Sequence, residues 1–342
     1  MKTGKLTNEQ LSELVLSKLP PLSSTTLVGA DIGADCAWID MGDRLMVTSS
    51  DPITAGGMQS GTLTVHVSCN DIAACGVRPS GILIVIIAPP TATEEDVSTI
   101  VSQASDAASK LGVDIVGGHT EISDSVNTFV VTSTAFGIIE KDHPVPIGKA
   151  RAGDKLILTK TCGIEGSFIA ASEHAGKLEG RIDDAYIKEA LTYNELISVV
   201  EEGSIAGAVR SSEETRNYKG YYNGAVSLMH DVTEGGVFGA AYEMACFSGL
   251  GITVYEDSIP ITDATSAICK TLDLNPYRLI SSGSLLIATK EADKITGELS
   301  KKGIRASVIG EFTSADKGYK LVRGEDEITE LDPPSADEIY KL

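Results

Sequence analysis

Long hydrophobic runs are missing from this chain. The longest, Gly81 to Pro90, is about half a membrane span, and Met1 to Leu11 lacks the apolar centre of a signal peptide. We therefore expect a cytoplasmic protein with no membrane partner. Positive charge is also scarce. With 28 Lys and Arg against 48 Asp and Glu, the formal net charge is -20 at pH 7, which argues against a nucleic-acid backbone or an anionic membrane as partner. An anionic nucleotide stays admissible if metal and backbone amides hold it. No Cys-x-x-Cys pair occurs among Cys36, Cys69, Cys75, Cys162, Cys246 and Cys269, so reduced, buried thiols are expected. A Walker loop, a serine nucleophile elbow, a zinc signature and a dinucleotide fingerprint are absent too. There is no low-complexity tract and no short tandem repeat of solenoid length.

What is present is enough apolar residue, 42% of 342, to bury two cores, and the length favours two domains. Leu6 to Leu19 is spaced as a helix and stops at Pro20-Pro21. Leu45 to Ser49, Thr62 to Ser68, Ile82 to Ala88 and Thr128 to Ile139 read as strands from their β-branched, apolar character. Asp71 to Cys75 and Glu94 to Leu111 read as helices, the second capped by Thr93 with Asp96 and ended by Gly112. Proline, glycine and charge gather between His143 and Asp154, which suggests domains at 1–148 and 149–342. Beyond that point come a strand at Lys155 to Thr159 and a glycine-bearing helix start at Gly163 to Gly166. Helices follow at Asp184 to Glu201 and Ser204 to Arg210, then a strand at Ala225 to Met229 and a helix from Thr233. The remainder alternates strands at Ile252 to Tyr255, Ser284 to Ala288, Ala306 to Gly310 and Tyr319 to Val322 with helices near Thr262 and Glu291. Neither half alternates strand and helix regularly, so the class is α+β.

Four short acidic motifs stand where hydrophobic runs stop: Gly33-Ala34-Asp35, Ser50-Asp51, Asn70-Asp71 and Gly117-Gly118-His119-Thr120-Glu121. If their carboxylates converge, each like-charged pair at about 4 Å and an effective dielectric of about 20 costs roughly 4 kcal/mol. A bound hard cation with phosphate oxygens, or raised pKa values, would relieve that cost. Each motif also has a plain reading. Asn70-Asp71 is a good helix N-cap, Asp35 and Asp51 suit turns, and a lone His119 beside glycines is an ordinary loop residue. Gly117-Gly118 at the end of a strand can cup an anion with backbone amides, which makes His119 and Glu121 candidates for a metal sphere. In His230-Asp231-Val232-Thr233-Glu234-Gly235-Gly236-Val237, Asp231 can cap a helix while Gly235 and Gly236 permit close approach of an anionic group.

Taken in order, these motifs, with Asn70-Asp71-Ile72-Ala73-Ala74-Cys75-Gly76-Val77-Arg78-Pro79 at their centre, resemble the aminoimidazole ribonucleotide (AIR) synthetase superfamily over nearly the whole chain. Within it the sequence is similar to the HypE branch of hydrogenase maturation. The resemblance implies a two-domain α+β fold: an N-terminal mixed sheet that forms a barrel across a homodimer, and a C-terminal α+β sandwich. It implies ATP and Mg2+ as cofactors, with Asp35, Asp51 and Asp71 on the metal and Asn70 beside the phosphates. Gly117, Gly118 and Thr120 would shape the phosphate turn, with Asp231, Gly235 and Gly236 in the nucleotide-binding set. The implied activity is ATP-dependent activation of an oxygen on a small substrate, linked to hydrogenase maturation and to a maturation-protein partner.

The sequence departs from this pattern in four places. His119 stands where several relatives carry an acidic residue, and Gly4-Lys5 is a reduced form of a glycine-rich segment that closes over ATP. Ser282 and Ser284 replace a glutamate and a lysine, which makes Ser282, with His119, a candidate catalytic residue. No cysteine follows Cys269, so the resemblance implies that the route through a carbamoylated terminal cysteine is closed. A non-catalytic nucleotide-binding scaffold and a small-molecule kinase are the alternatives.

Overall fold

The computed structural model describes all residues except 1–5, 33–34, 55–58, 147, 214, 217–219 and 325–326. The Gly4-Lys5 segment and the Gly33-Ala34 part of the first motif lie outside the described residues. A first sheet is built from β1 (Thr26–Val28), β2 (Ala37–Asp40), β3 (Arg44–Ile53), β4 (Gly81–Ala88), β5 (Asp114–Ile122) and β6 (Val130–Glu140). Its order is β1-β2-β3-β6-β4-β5, antiparallel except for the parallel pair β4 and β5. Helix α1 (Asn8–Leu14) precedes it, while α2 (Ser60–Ala74) packs on its buried face and α3 (Glu94–Leu111) packs beside α2.

A second sheet contains β7 (Lys155–Thr159), β8 (Val226–Asp231), β9 (Gly251–Tyr255), β10 (Leu285–Thr289), β11 (Ala306–Thr313), β12 (Tyr319–Arg323) and β13 (Glu327–Glu330), in the order β13-β12-β9-β11-β7-β10-β8. Around it lie α4 (Ile164–Glu173), α5 (Asp184–Leu191), α6 (Val200–Gly207), α7 (Gly236–Ser248), α8 (Asp263–Leu272) and α9 (Ala292–Ser300). One hydrophobic core is continuous between the sheets: Val65, Cys69 and Ile72 of α2 belong to the same cluster as Ile157, Met229 and Ile287. Contact between α2 and α6 closes this seam, and Gly203 is required there. A Cβ on it would stand 2.1 Å from the Ala73 carbonyl oxygen.

Several sequence expectations hold in detail. Helix α3 begins at a Thr93 and Asp96 capping box and ends at Gly112 with φ +68°. Thr62 to Ser68, expected as a strand, is instead the first half of α2. Its alternation of Leu63, Val65 and Val67 mimics a strand, but Val65, Cys69 and Ile72 sit at helical spacing and are all fully buried. Asn70 and Asp71 consequently lie late in a helix and cap nothing. The helix expected over Asp184 to Glu201 breaks after α5, because the Asn70 side chain takes the backbone of 197 and 199. Of the thiols expected to be buried, Cys246 is exposed and Cys75 half-buried, while the other four are buried.

The first sheet is open in a single chain. Its edge strand β5 is exposed at all nine positions, including Ile115, Val116 and Ile122. Among the described residues no helix is long and apolar enough to cross a membrane.

Candidate functional site

The aspartates meet where β3, the end of α2 and the end of β8 adjoin. In β3, Leu45, Val47 and Ser49 alternate inward, so Asp51 faces α2 from within the strand, not from a loop as expected. The Ser49 hydroxyl donates to Asp71 Oδ2 at 2.7 Å and lies 3.0 Å from the Asp35 backbone oxygen. Asp51 and Asp71 share a side-chain hydrogen bond, and the carboxylates of Asp231, Asp35 and Asp51 act on one another electrostatically. Burial, then Asp231 and Asp51, push the Asp71 carboxyl well above the usual carboxylate range. Burial, opposed by His230 and reinforced by Asp35 and Asp51, pushes Asp231 up to about 6. Burial leads both shifts, and the neighbouring carboxylates add to it.

His230 supplies part of that counter-charge. Its Nδ1 lies 3.4 Å from Asp35 Oδ2 and its Nε2 3.3 Å from Glu243 Oε2. Burial by itself would lower the imidazole pKa, but Asp35 and Glu243 hold it well above the ordinary value. Sequence reading placed His230 only as a neighbour of Asp231. Among the described residues, no three His, Cys, Asp or Glu side chains are already grouped closely enough to hold a metal ion. Asp35, Asp51 and Asp71 offer the hard oxygen donors that a divalent cation such as Mg2+ would require.

The fourth motif is not part of this cluster within one chain. Asp51 pairs with Ser133, Ser133 with Ile84 and Ile84 with Gly118, so three strand spacings, about 14 Å, separate β3 from β5. Alternation then puts His119 on the sheet face opposite Asp51, where its Nε2 lies 3.2 Å from Glu121 Oε2. His119 therefore joins no single-chain metal sphere with the aspartates. Gly117 and Gly118 form no turn; they continue β5, and Gly118 is needed because a Cβ would meet the Ile84 carbonyl oxygen at 1.8 Å. Thr120, beside Ile86, helps line a groove of about 260 Å³ between β4, β5 and α3.

Asn70 is also used elsewhere. It is 1% exposed, its Nδ2 donates to the Ile197 oxygen at 3.0 Å, and its Oδ1 accepts from the Val199 N–H at 2.9 Å. The structure makes it a clamp between α2 and the segment leading into α6.

In the second half, Asp231 does not cap α7, whose N-cap is Gly235 with φ +86°. The Gly235 N–H donates to Asp337 Oδ2 at 2.6 Å, while Asp337 Oδ1 accepts from Ile280 at 3.2 Å and Ile339 at 2.8 Å. Gly236 has φ +61° and packs against the 277–279 backbone, so this helix start is filled by the protein itself. Ser282 is buried and hydrogen-bonded to Glu165, a buried carboxyl that burial raises despite Ser282, with Asp337 and Glu234 adding to the rise. Ser284 donates to the Thr161 oxygen at 2.6 Å and serves the loop's own structure. Lys160, with φ +55°, bonds Glu202 at 2.6 Å and donates to the Gly283 oxygen at 2.7 Å. Sequence reading missed Asp337, Glu165 and Lys160. Glu165 alone had a signal, a carboxylate set between glycines at an apolar helix start.

Comparison with known proteins agrees with this architecture. A hydrogenase expression/formation protein named in Methanocaldococcus jannaschii is 28% identical over 325 residues, covering 92% of this chain and 90% of that protein. The carbamoyl dehydratase HypE of Bradyrhizobium diazoefficiens is 24% identical over 298 residues, covering 84% and 80%. A crystal structure of the hydrogenase maturation protein HypE in complex with ATP superposes with a TM-score of 0.66 at 19% identity, covering 98% of this chain and 97% of that one. The family described as AIR synthase related protein, N-terminal domain, matches residues 33–139, and its C-terminal domain counterpart matches residues 151–322. With both domains matched in order along one chain, the protein belongs to the AIR synthase related family.

Proposed function

We propose that this protein is a magnesium-dependent, ATP-using enzyme of hydrogenase maturation that activates an oxygen of a small substrate, with Mg2+ carried by Asp35, Asp51 and Asp71. One observation carries the reading: carboxylates from both sheets gather at one place, where burial first and the neighbouring carboxylates second hold Asp71 and Asp231 above their ordinary pKa. The relatives named for hydrogenase formation and carbamoyl dehydration support the pathway. Mg2+, when bound, supplies neutralisation of phosphate charge. Ser49 orients the Asp71 carboxylate, His230 steadies Asp35, and Asp231 brings the second domain to the same point. Catalysis of this kind rests on positioning and preorganised charge.

The substrate half lies around Ser282 and Glu165. Glu165, buried with its pKa raised, is suited to accept or donate a proton through the Ser282 hydroxyl. We further place a second copy of the chain along β5, whose exposed apolar edge would then be covered, and the domain boundary in 141–154 between β6 and β7. In that homodimer the partner's motif around His119 would be free to approach the aspartates that its own chain keeps at a distance. Incubation with Mg2+, ATP and candidate small substrates, followed by phosphorus NMR, tests the reaction. A dehydrating enzyme releases inorganic phosphate, a kinase yields a phosphorylated product, and a non-catalytic scaffold yields neither.

A further inference from the structure

Just past the end of β7, Lys160 sends its ammonium among four oxygens, and no step of the proposed reaction uses it. Its Nζ donates to the backbone oxygens of Leu196 at 3.2 Å, Ser198 at 2.7 Å and Gly283 at 2.7 Å, and stands 2.6 Å from Glu202 Oε1. An ammonium has three N–H donors, so all of them are taken by the protein itself. The Lys160 backbone lies in the left-handed region at φ +55°, a conformation that persists in a residue with a side chain only where its surroundings hold it. Gly283, at φ +104°, lies so close to the same stretch that a Cβ would stand 2.2 Å from the Leu196 oxygen. The ammonium and this glycine therefore fasten the 280–283 loop to residues 196–199. Asn70 of α2 grips that stretch from the side of the first sheet, at Ile197 and Val199. On its other side the loop holds the start of α4: the Ile164 N–H donates to Ser281 Oγ at 3.3 Å and the Gly166 N–H to the Ile280 oxygen at 3.0 Å, with Glu165 between them.

We propose that Lys160 is a positioning residue: its ammonium seats the 280–283 loop, which carries Ser282, on the stretch that Asn70 grips from α2, so that both halves of the site hang on one strut. Asp71, next to Asn70, stands at one end of that strut, and Ser282 with Glu165 at the other. Three carbonyl dipoles that point at one centre repel one another, and a cation at the centre turns the repulsion into attraction. Glu202 balances the charge where its own side chain is 4% exposed and that of Lys160 18%. An ion pair that only stabilised the fold could be exchanged for two apolar side chains with no consequence for the loop. A positioning ammonium could not, because the Gly283 oxygen would lose the group that holds it.

The test compares hydrogen exchange in the full wild-type chain and in Lys160→Met/Glu202→Met, which removes both charges together and leaves neither buried alone. In the wild type the Ser284 N–H donates to the Ser281 oxygen and the Leu285 N–H to Thr159 Oγ1, each at 3.0 Å. Those two amides should exchange about tenfold faster in the double variant, at a melting temperature close to that of the wild type and with α3 still protected. In Lys160→Ala, n-propylammonium, which is the part of the side chain removed, should restore slow exchange where 1-propanol does not. Unchanged exchange at Ser284 and Leu285 in the folded double variant overturns the positioning role, and so does equal rescue by the alcohol. Variants that stay unfolded with and without propylammonium also overturn it, since Lys160 would then serve stability alone. The link to the nucleotide half rests on the magnesium–ATP reading: Mg–ATP should slow Ser284 and Leu285 in the wild type but not in the double variant, while raising the melting temperature of both. Equal slowing in both, or no slowing in a wild type whose melting temperature rises, overturns the strut. If Mg–ATP shifts neither protein, that reading fails, while exchange without ligand still decides the role of Lys160.

Discussion

Nδ1 of His230 stands 3.4 Å from Oδ2 of Asp35, so an imidazole at the end of one sheet meets a carboxylate that leads into the other. The contact shows what the site is: a seam, with charge of one sign supplied from both sides. Asp231, the next residue, is pushed up to about 6, by burial first and by Asp35 and Asp51 against the opposing pull of His230.

Stability should therefore fall as pH rises through the Asp231 titration. Its folded pKa, about 6, lies above the ordinary aspartate value of 3.8, so the folded state holds more protons than the unfolded chain between those values, and a penalty develops that is complete above about 6. Roughly two pKa units correspond to about 3 kcal/mol as an order of magnitude. Asp231→Asn should flatten the decline in melting temperature between pH 4 and about 7. Added MgCl2 should stabilise the wild type more at pH 7.5 than at pH 5, because ionised carboxylates bind it. Equal stabilisation at both pH values would contradict the metal assignment.

Asn70→Ala should destabilise the protein by about 2–3 kcal/mol, since the Ile197 oxygen and the Val199 N–H lose buried partners. Urea unfolding measures it. If the dissociation constant of Mg–ATP for the folded variant rises more than tenfold instead, with stability unchanged, Asn70 belongs to the phosphates after all.

Asp337→Ala should cost about 3 kcal/mol by stripping acceptors from the N–H groups of Gly235, Ile280 and Ile339. Hydrogen exchange should quicken at Gly235 and Ile280 before it does in α2. Uniform protection in the variant would show that the carboxylate is dispensable there.

Val116→Lys, at an exposed position of β5, should leave the fold intact by circular dichroism and halve the mass seen by light scattering. An unchanged mass would place the subunit contact elsewhere, or show that none forms.

How far the sequence revealed this structure depends on the range of the interaction. Helix α3 was legible to the residue because its signals are local: Thr93 and Asp96 at one end and Gly112 at the other. Helix α2 was misread because Thr, Val and Ser in alternation carry strand propensity, while the burial of Val65, Cys69 and Ile72 that settles the matter comes from other elements. The aspartates were legible as candidates through repetition of small residue then Asp. Their company was not. His230 acts across the seam, and Asp337 arrives from 102 residues beyond Gly235, so no window on the sequence contains the pair. His119 was misplaced for the opposite reason, because strand period puts it on the far face of a sheet whose order no local pattern reveals.

Thermal unfolding with Mg–ATP tests most directly whether the carboxylate seam binds magnesium and ATP. At about 100 times the dissociation constant, wild-type protein should gain about 2.7 kcal/mol, a gain that EDTA abolishes and Asp71→Asn loses. Equal, EDTA-insensitive stabilisation of wild type and Asp71→Asn would contradict it.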